Sequence, residues 1–149
     1  MLHVHPFEGI TETTRQRIMD SARHESYKPG DFIFRQGDSA RDFFILGEGR
    51  VRLTHGPGEL LAYTATDAHE LIGWSALMEN QTYTASAECL APVSVVRIER
   101  QKLDEILHED PASGMAFYRN LAAIIGRRLA KSYRATVSVH GTREPQPGG

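Results

Sequence analysis

The residues best equipped for chemistry lie between Glu70 and Cys89, where Leu71-Ile72-Gly73-Trp74-Ser75-Ala76 is followed by a polar link, Asn80-Gln81-Thr82, and then by Tyr83-Thr84-Ala85 entering an alternating strand. An apolar strand end that runs through Gly73 into a short helical turn presents backbone N–H groups around Gly73 to Ser75. Such a turn can hold an anion such as a phosphate. The hydroxyls of Ser75, Tyr83 and Thr84 add side-chain donors to the same place. Trp74 has two readings: a platform on which a flat ligand stacks, or a plug that fills the pocket. Tyr83 is either an interior hydrogen-bonding residue or a ligand contact.

Other reactive residues form weaker patterns. His3, His5 and Glu8 give a His-x-His with a downstream Glu, the ligand set of a cupin-type metal-dependent enzyme. They precede the first expected helix instead of lying on an inner strand, and His24, His55, His69, His108 and His140 show no ligand spacing, so no metal site is expected. No P-loop and no Ser/His/Asp or Cys/His arrangement has local support, so the chain is not expected to be an enzyme. Cys89, the single cysteine, falls in a strand-like run and reads as a buried small hydrophobe. With 17 Lys and Arg against 19 Asp and Glu, a net charge of −2 gives no global attraction to nucleic acid or membrane. The start, Met1 to Pro6, lacks a signal-peptide pattern and no apolar run reaches the roughly 18 residues of a membrane span, so a cytoplasmic protein is expected.

The elements around these residues follow from periodicity. Thr11 can cap a helix running to about Arg23, with Ile10, Ile18, Met19 and Ala22 as its apolar positions. Glycine-bearing turns then recur at Pro29-Gly30-Asp31, Gln36-Gly37-Asp38, Gly47-Glu48-Gly49, Gly56-Pro57-Gly58 and Gly73, the spacing of an all-β sandwich or barrel. Between them lie Phe32-Ile33-Phe34, Phe43-Phe44-Ile45-Leu46, Val51 with Leu53, and Leu60 to Tyr63; Thr84 to Ala91 and Val93 to Ile98 follow. Seven or eight strands result. From Arg100 the period becomes helical, with Leu103, Ile106 and Leu107 on one face, and Asp110-Pro111 opens a long helix.

That helix carries two apolar stripes. Met115, Tyr118, Ala122, Ile125, Leu129 and Ser132 form a coiled-coil-like seam, and Phe117, Leu121 and Ile124 lie on another face. One stripe can pack on the parent domain while the other meets a second copy, which predicts a homodimer through residues 111–134. The basic run Arg119, Arg127, Arg128, Lys131 and Arg134 reads as a solvated face favoured by the helix dipole. The residues after 134 are too few for an appended helix-turn-helix, so direct nucleic-acid binding is not expected. The organisation expected is one domain over 1–134 and a disordered tail over 135–149.

The order of helix, glycine-punctuated strands, cassette, strand pair and long helix resembles the cyclic nucleotide-binding domain family, including the sensory half of catabolite activator proteins. The resemblance spans about Phe7 to Arg134 and is carried by Pro29-Gly30-Asp31, Phe34-Arg35-Gln36-Gly37-Asp38, Phe44-Ile45-Leu46-Gly47-Glu48-Gly49-Arg50-Val51 and Leu71-Ile72-Gly73. It implies a mainly β fold with flanking helices: a double-stranded β-helix jelly roll, an N-terminal helix and a long C-terminal helix. It also implies a regulatory domain that takes a nucleotide or related small ligand, cAMP or cGMP, in the jelly-roll pocket and signals through the C-terminal helix to a partner protein. The implied ligand residues are Leu71, Ile72, Gly73, Trp74, Ser75, Ala76, Tyr83, Thr84 and Ala85, with Ser132 or Tyr133 closing the pocket. In the family a glutamate follows the central glycine and an arginine precedes the next strand; here Trp74 and Tyr83, or Thr84, stand at those positions. The alternative reading is a protein-interaction scaffold whose degenerate pocket binds no cyclic nucleotide.

Overall fold

The computed structural model describes residues 5–56, 61–78 and 82–143, of which 61–62 and 132–143 are described as backbone only. Helix α1 (Glu12–Ser21) starts where Thr11 Oγ1 accepts the Thr14 N–H at 3.3 Å, and it buries Ile18 completely. It ends before Arg23, earlier than the apolar spacing suggests, because the chain turns extended at Ala22 and enters β1 (Arg23–Tyr27).

Two four-stranded antiparallel sheets face each other. One has the order β1-β8-β3-β6, with β3 (Asp42–Glu48), β6 (Leu71–Ile72) and β8 (Val93–Glu99). The other has the order β2-β7-β4-β5, with β2 (Phe32–Phe34), β4 (Val51–His55), β5 (Leu61–Ala65) and β7 (Ser86–Cys89). This is the all-β sandwich expected from the turn spacing and the jelly roll that the family resemblance implies. The inner faces supply Phe44, Leu46 and Val95 from the first sheet and Val51, Ala65, Ala87 and Cys89 from the second, while Phe43 and Ile98 are buried on the opposite face of the first sheet, where Phe117 meets Phe43. Along β8, Val93 and Val95 are buried on one face and Ile98 on the other, so this strand, paired with β1 and β3, is covered on both sides.

Strand β1 carries no apolar alternation and escapes pattern reading. Its main chain pairs with β8 from Arg23↔Arg97 to Tyr27↔Val93, while Arg23, His24 and Glu25 charge an edge that would otherwise invite pairing with another chain. Gly49, at φ 116°, shows what the turn between β3 and β4 requires, since a Cβ there would lie 2.5 Å from the Pro92 carbonyl oxygen.

The helices close one side. Helix α2 (Arg100–His108) buries Leu103, Ile106 and Leu107, and helix α3 (Pro111–Arg143) packs Phe117 against Phe7 and Phe43 at ring-centroid distances of 6.1 and 5.9 Å. Asp110 caps α3 and joins it to α1: its carboxylate accepts from Ser113 N–H and Oγ and from the hydroxyls of Thr11 and Thr14. Along α3 the Phe117, Leu121 and Ile124 stripe is buried, whereas Met115, Tyr118 and Leu129 of the seam are exposed. The helix runs past 134 to Arg143, where loss of apolar periodicity suggests a tail; no proline interrupts its backbone before Pro145. The rest of the expected tail, 144–149, lies outside the described residues, as does His3.

Candidate functional site

Strand β6 is two residues long and hangs on β3 through the pairs Phe44↔Ile72 and Ile45↔Leu71, extended by Leu46 N–H to the Glu70 carbonyl at 2.8 Å. It delivers the chain to Gly73, which adopts φ 83° and opens a single 3-10 turn, Trp74–Leu77. A Cβ on Gly73 would sit 3.1 Å from Phe34 and 3.3 Å from both Phe44 and Tyr83, so the glycine lies against an aromatic wall. Glycine is needed here for its backbone angle and for this close approach.

The residues expected to bind ligand separate into groups. Leu71, Ile72 and Ala76 are buried apolar side chains of the core. Tyr83 is also turned inward: its ring stacks on Phe34 at 3.9 Å, its hydroxyl donates to the Asp42 carbonyl at 2.5 Å, and burial followed by the Asp42 charge pushes its pKa up to about 12. Ser75 and Thr84 are brought together, with their hydroxyls 3.3 Å apart and Thr84 N–H donating to Ser75 Oγ at 3.4 Å. Thr84 is exposed and Ala85 half-buried, so this pair forms the accessible edge of the cassette. The backbone of Ser132 and Tyr133 belongs to α3; their side chains, like the link residues Asn80 and Gln81, lie outside the described residues.

Sequence reasoning missed the residue that joins α3 to this cassette. Arg128 is 8% exposed, and its Nη2 donates to the Leu71 carbonyl at 2.6 Å and to Glu70 Oε1 at 3.2 Å. Its guanidinium lies 4.7 Å from the Tyr63 ring centroid and 4.9 Å from that of Trp74, at distances where a cation is drawn to a π face. Half-buried Trp74 is therefore neither an open platform nor a simple plug, because a guanidinium covers its ring. The signal was present in the spacing: Arg128 continues the inward stripe of Phe117, Leu121 and Ile124, unlike its basic neighbours.

The pair is asymmetric. Glu70 Oε1 also accepts the Tyr63 hydroxyl at 2.6 Å, and Oε2 accepts Thr66 and Asp67 N–H groups at 3.0 Å each. Burial pushes the Glu70 carboxyl up, but the Tyr63 hydroxyl, those N–H groups and Arg128 outweigh it and hold the pKa below the ordinary value. Burial likewise raises Tyr63, and with Glu70 beside it the phenol reaches about 12. Arg128 fares worse, since burial lowers its pKa despite Tyr63 and Glu70, and its Nη1 is buried with no hydrogen-bond partner among the described residues. A guanidinium nevertheless stays charged at neutral pH.

Away from the cassette, Arg97 donates to Glu25 at 2.9 Å and to Asp42 at 2.5 Å on the first sheet. It borders a cavity of about 330 Å³ that Arg23, Arg41, Glu99 and Lys102 also line. His5 and His69 approach to 4.6 Å between ring centroids, yet no three His, Cys, Asp or Glu among the described residues could hold a metal. Cys89 is buried, and burial raises its thiol to about 11. No helix among the described residues is long and apolar enough to cross a membrane.

This architecture has close counterparts. The sequence profile of the cyclic nucleotide-binding domain matches residues 24–110. A cGMP-dependent protein kinase of Drosophila melanogaster, isozyme 2 forms cD5/T2, is 31% identical over 140 residues, which cover 86% of this chain but 14% of the kinase. A cAMP-dependent protein kinase regulatory subunit of Hypocrea atroviridis is 26% identical over 107 residues, 72% of this chain and 22% of that protein. This chain thus spans a minor part of the curated relatives it matches. Among solved structures, a Geobacter metallireducens protein assigned as cyclic nucleotide-binding superposes with a TM-score of 0.73 at 27% identity, covering 85% of this chain and 92% of that one. The catabolite activator protein of Thermus thermophilus superposes at 0.68 with 23% identity, covering 90% and 62%, and so supports the fold alone. The fold is that of a regulatory domain and not of a catalytic one, and the chain belongs to the cyclic nucleotide-binding domain family.

Proposed function

We propose that this domain is a small-molecule sensor that takes a cyclic nucleotide or related ligand at the Gly73–Ala76 and Tyr83–Ala85 cassette and reports its presence through α3. The observation that carries this reading is the contact of Arg128 with Leu71 and Glu70, because it ties α3 to the strand that delivers Gly73. A ligand that rearranges the cassette then changes the energy of α3 docking, which is the differential interaction a switch requires. The names of the kinase relatives make cGMP and cAMP the first ligands to try. Ser132 or Tyr133 would close the pocket from α3. The exposed seam of Met115, Tyr118 and Leu129 would join two copies in a cytoplasmic homodimer or meet a partner protein.

Calorimetric titration with cGMP and with cAMP tests the site. Binding at micromolar strength that is lost in Gly73→Asp supports the cassette, and binding unchanged by that substitution overturns it.

A second reading has its own observation. The wall of Phe34, Phe44 and Tyr83 presses against Gly73, and Trp74 and Tyr83, or Thr84, stand where the family resemblance implies a glutamate and an arginine. A domain built this way could present α3 as a scaffold without any ligand, in which case neither nucleotide binds.

A further inference from the structure

No Lys or Arg occurs between Arg52 and Arg97, so the whole stretch from Leu53 to Val96, cassette included, contains no strong cation of its own. A phosphate entering such a site would be desolvated without a counter-charge, at a cost that backbone N–H groups offset only in part. The missing charge is supplied from elsewhere in the chain. Arg128 brings it from α3 to the Leu71 carbonyl and the face of Trp74, and Lys131 Nζ stands 5.3 Å from the Tyr63 ring centroid. Among the described residues, the carboxylate that pairs with Arg128 is Glu70.

From this we infer that α3 carries the anion receptor of the site: Arg128, assisted by Lys131, takes the phosphate group of a nucleotide ligand. The inference rests on the reading that the cassette binds a ligand and names the chemistry of that ligand. Two independent observations lead to it. First, Arg128 Nη1 is a buried donor with no acceptor among the described residues, an arrangement that favours any ligand bringing an oxygen to it. Second, Arg128 is the least essential donor to Glu70. Its contact, at 3.2 Å, is longer than those from Tyr63, Thr66 and Asp67, which together still serve both carboxylate oxygens when the guanidinium turns away. The arginine can therefore exchange part of its pairing with Glu70 for a phosphate without stripping the buried carboxylate. Because the receptor belongs to the helix, capture of the anion and movement of α3 become one event.

The test compares cGMP and cAMP with guanosine and adenosine, and with inorganic phosphate, by calorimetry on the whole chain, in the wild type and in Arg128→Gln. The cyclic nucleotides should bind at least tenfold more tightly than their nucleosides. In Arg128→Gln that ratio should fall toward one while nucleoside affinity stays within about threefold, and Lys131→Gln should lower the ratio by a smaller factor. Inorganic phosphate competing at millimolar concentration marks a general anion receptor; failure to compete marks one that requires the nucleoside as well, and both agree with the inference. A ratio near one in the wild type, or a ratio retained in Arg128→Gln, overturns it while leaving the pocket reading intact. Absence of binding by every nucleotide and nucleoside removes the pocket reading and the inference together. Should Arg128→Gln fail to fold, the wild-type ratio and Lys131→Gln decide.

Discussion

Two arginines of this domain each lie near an aromatic ring and beside carboxylates, but they are partnered in opposite ways. Arg97 lies within one sheet, 4.9 Å from the Phe44 ring centroid, and donates to Glu25, Asp42 and Tyr27. Burial works against its charge, yet Asp42 and Glu25 outweigh that effect and raise its pKa above the ordinary arginine value. Arg128 crosses from a helix to a strand, pairs with the Glu70 carboxylate, leaves Nη1 without a partner among the described residues, and has its pKa lowered by burial. A cation whose three nitrogens all donate ties its surroundings together, whereas a buried one with an unsatisfied donor gains from any acceptor brought to it. The first ties one sheet together, and the second is the contact on which the proposed signalling through α3 rests.

The sharpest way to break this contrast is to remove each guanidinium in turn. Arg97→Gln leaves Asp42 and Glu25 facing each other at side chains 19% and 27% exposed. Urea unfolding should register a loss of about 2–3 kcal/mol, somewhat below the cost of severing a fully buried pair. Arg128→Gln should cost less, about 1 kcal/mol, since Glu70 keeps three donors and an unsatisfied N–H disappears with the guanidinium. A larger loss at 128 than at 97 would mean that the α3 contact is structural and the contrast is wrong.

A smaller effect sharpens the comparison at the other end of α3, where the helix is held firmly. Hydrogen bonds from Ser113 and Thr14 bring the Asp110 pKa down to about 2 from an ordinary 3.8. Because the folded value lies below the unfolded one, the stabilisation from Asp110 is complete above pH 3.8 and is lost as pH falls toward 2. Thermal melts of Asp110→Asn should therefore show a shallower decline across that window than the wild type, while a parallel decline would assign the acid sensitivity to other carboxylates. The start of α3 is thus held by four hydrogen bonds to one carboxylate, whereas the Arg128 contact further along rests on two.

Much of this arrangement was legible in the residues. Regular glycine turns and apolar runs such as Phe43 to Leu46 announce a layered β fold, because a strand covered on both faces reads as a continuous apolar run and tight turns need positive φ. Asp110-Pro111 marks the start of α3, and its two apolar stripes do take different roles, with Phe117, Leu121 and Ile124 inward and Met115 and Leu129 outward. Strand β1 was not legible because main-chain pairing with β8 holds it, and pairing leaves no hydrophobic trace in Arg23, His24 and Glu25. Arg128 was hidden among exposed basic neighbours, and only its register with Phe117, Leu121 and Ile124 distinguishes it. The partners that let a charge be buried there, Glu70 and Tyr63, lie more than fifty residues away in the chain. Tyr83 takes a place against Phe34 that only the packed sheets define.

Trp74 is the single tryptophan of the chain, and its indole faces the Arg128 guanidinium, so its fluorescence reports whether the helix arginine is in place. The most direct measurement is a titration of Trp74 emission with cGMP in the wild type and in Arg128→Gln. The account predicts a saturable change in the wild type at the affinity found by calorimetry and a change reduced by more than half in Arg128→Gln. Calorimetric binding that leaves Trp74 emission unchanged in the wild type, or an equal change in both proteins, would contradict the claim that Arg128 carries ligand occupancy from the cassette to α3.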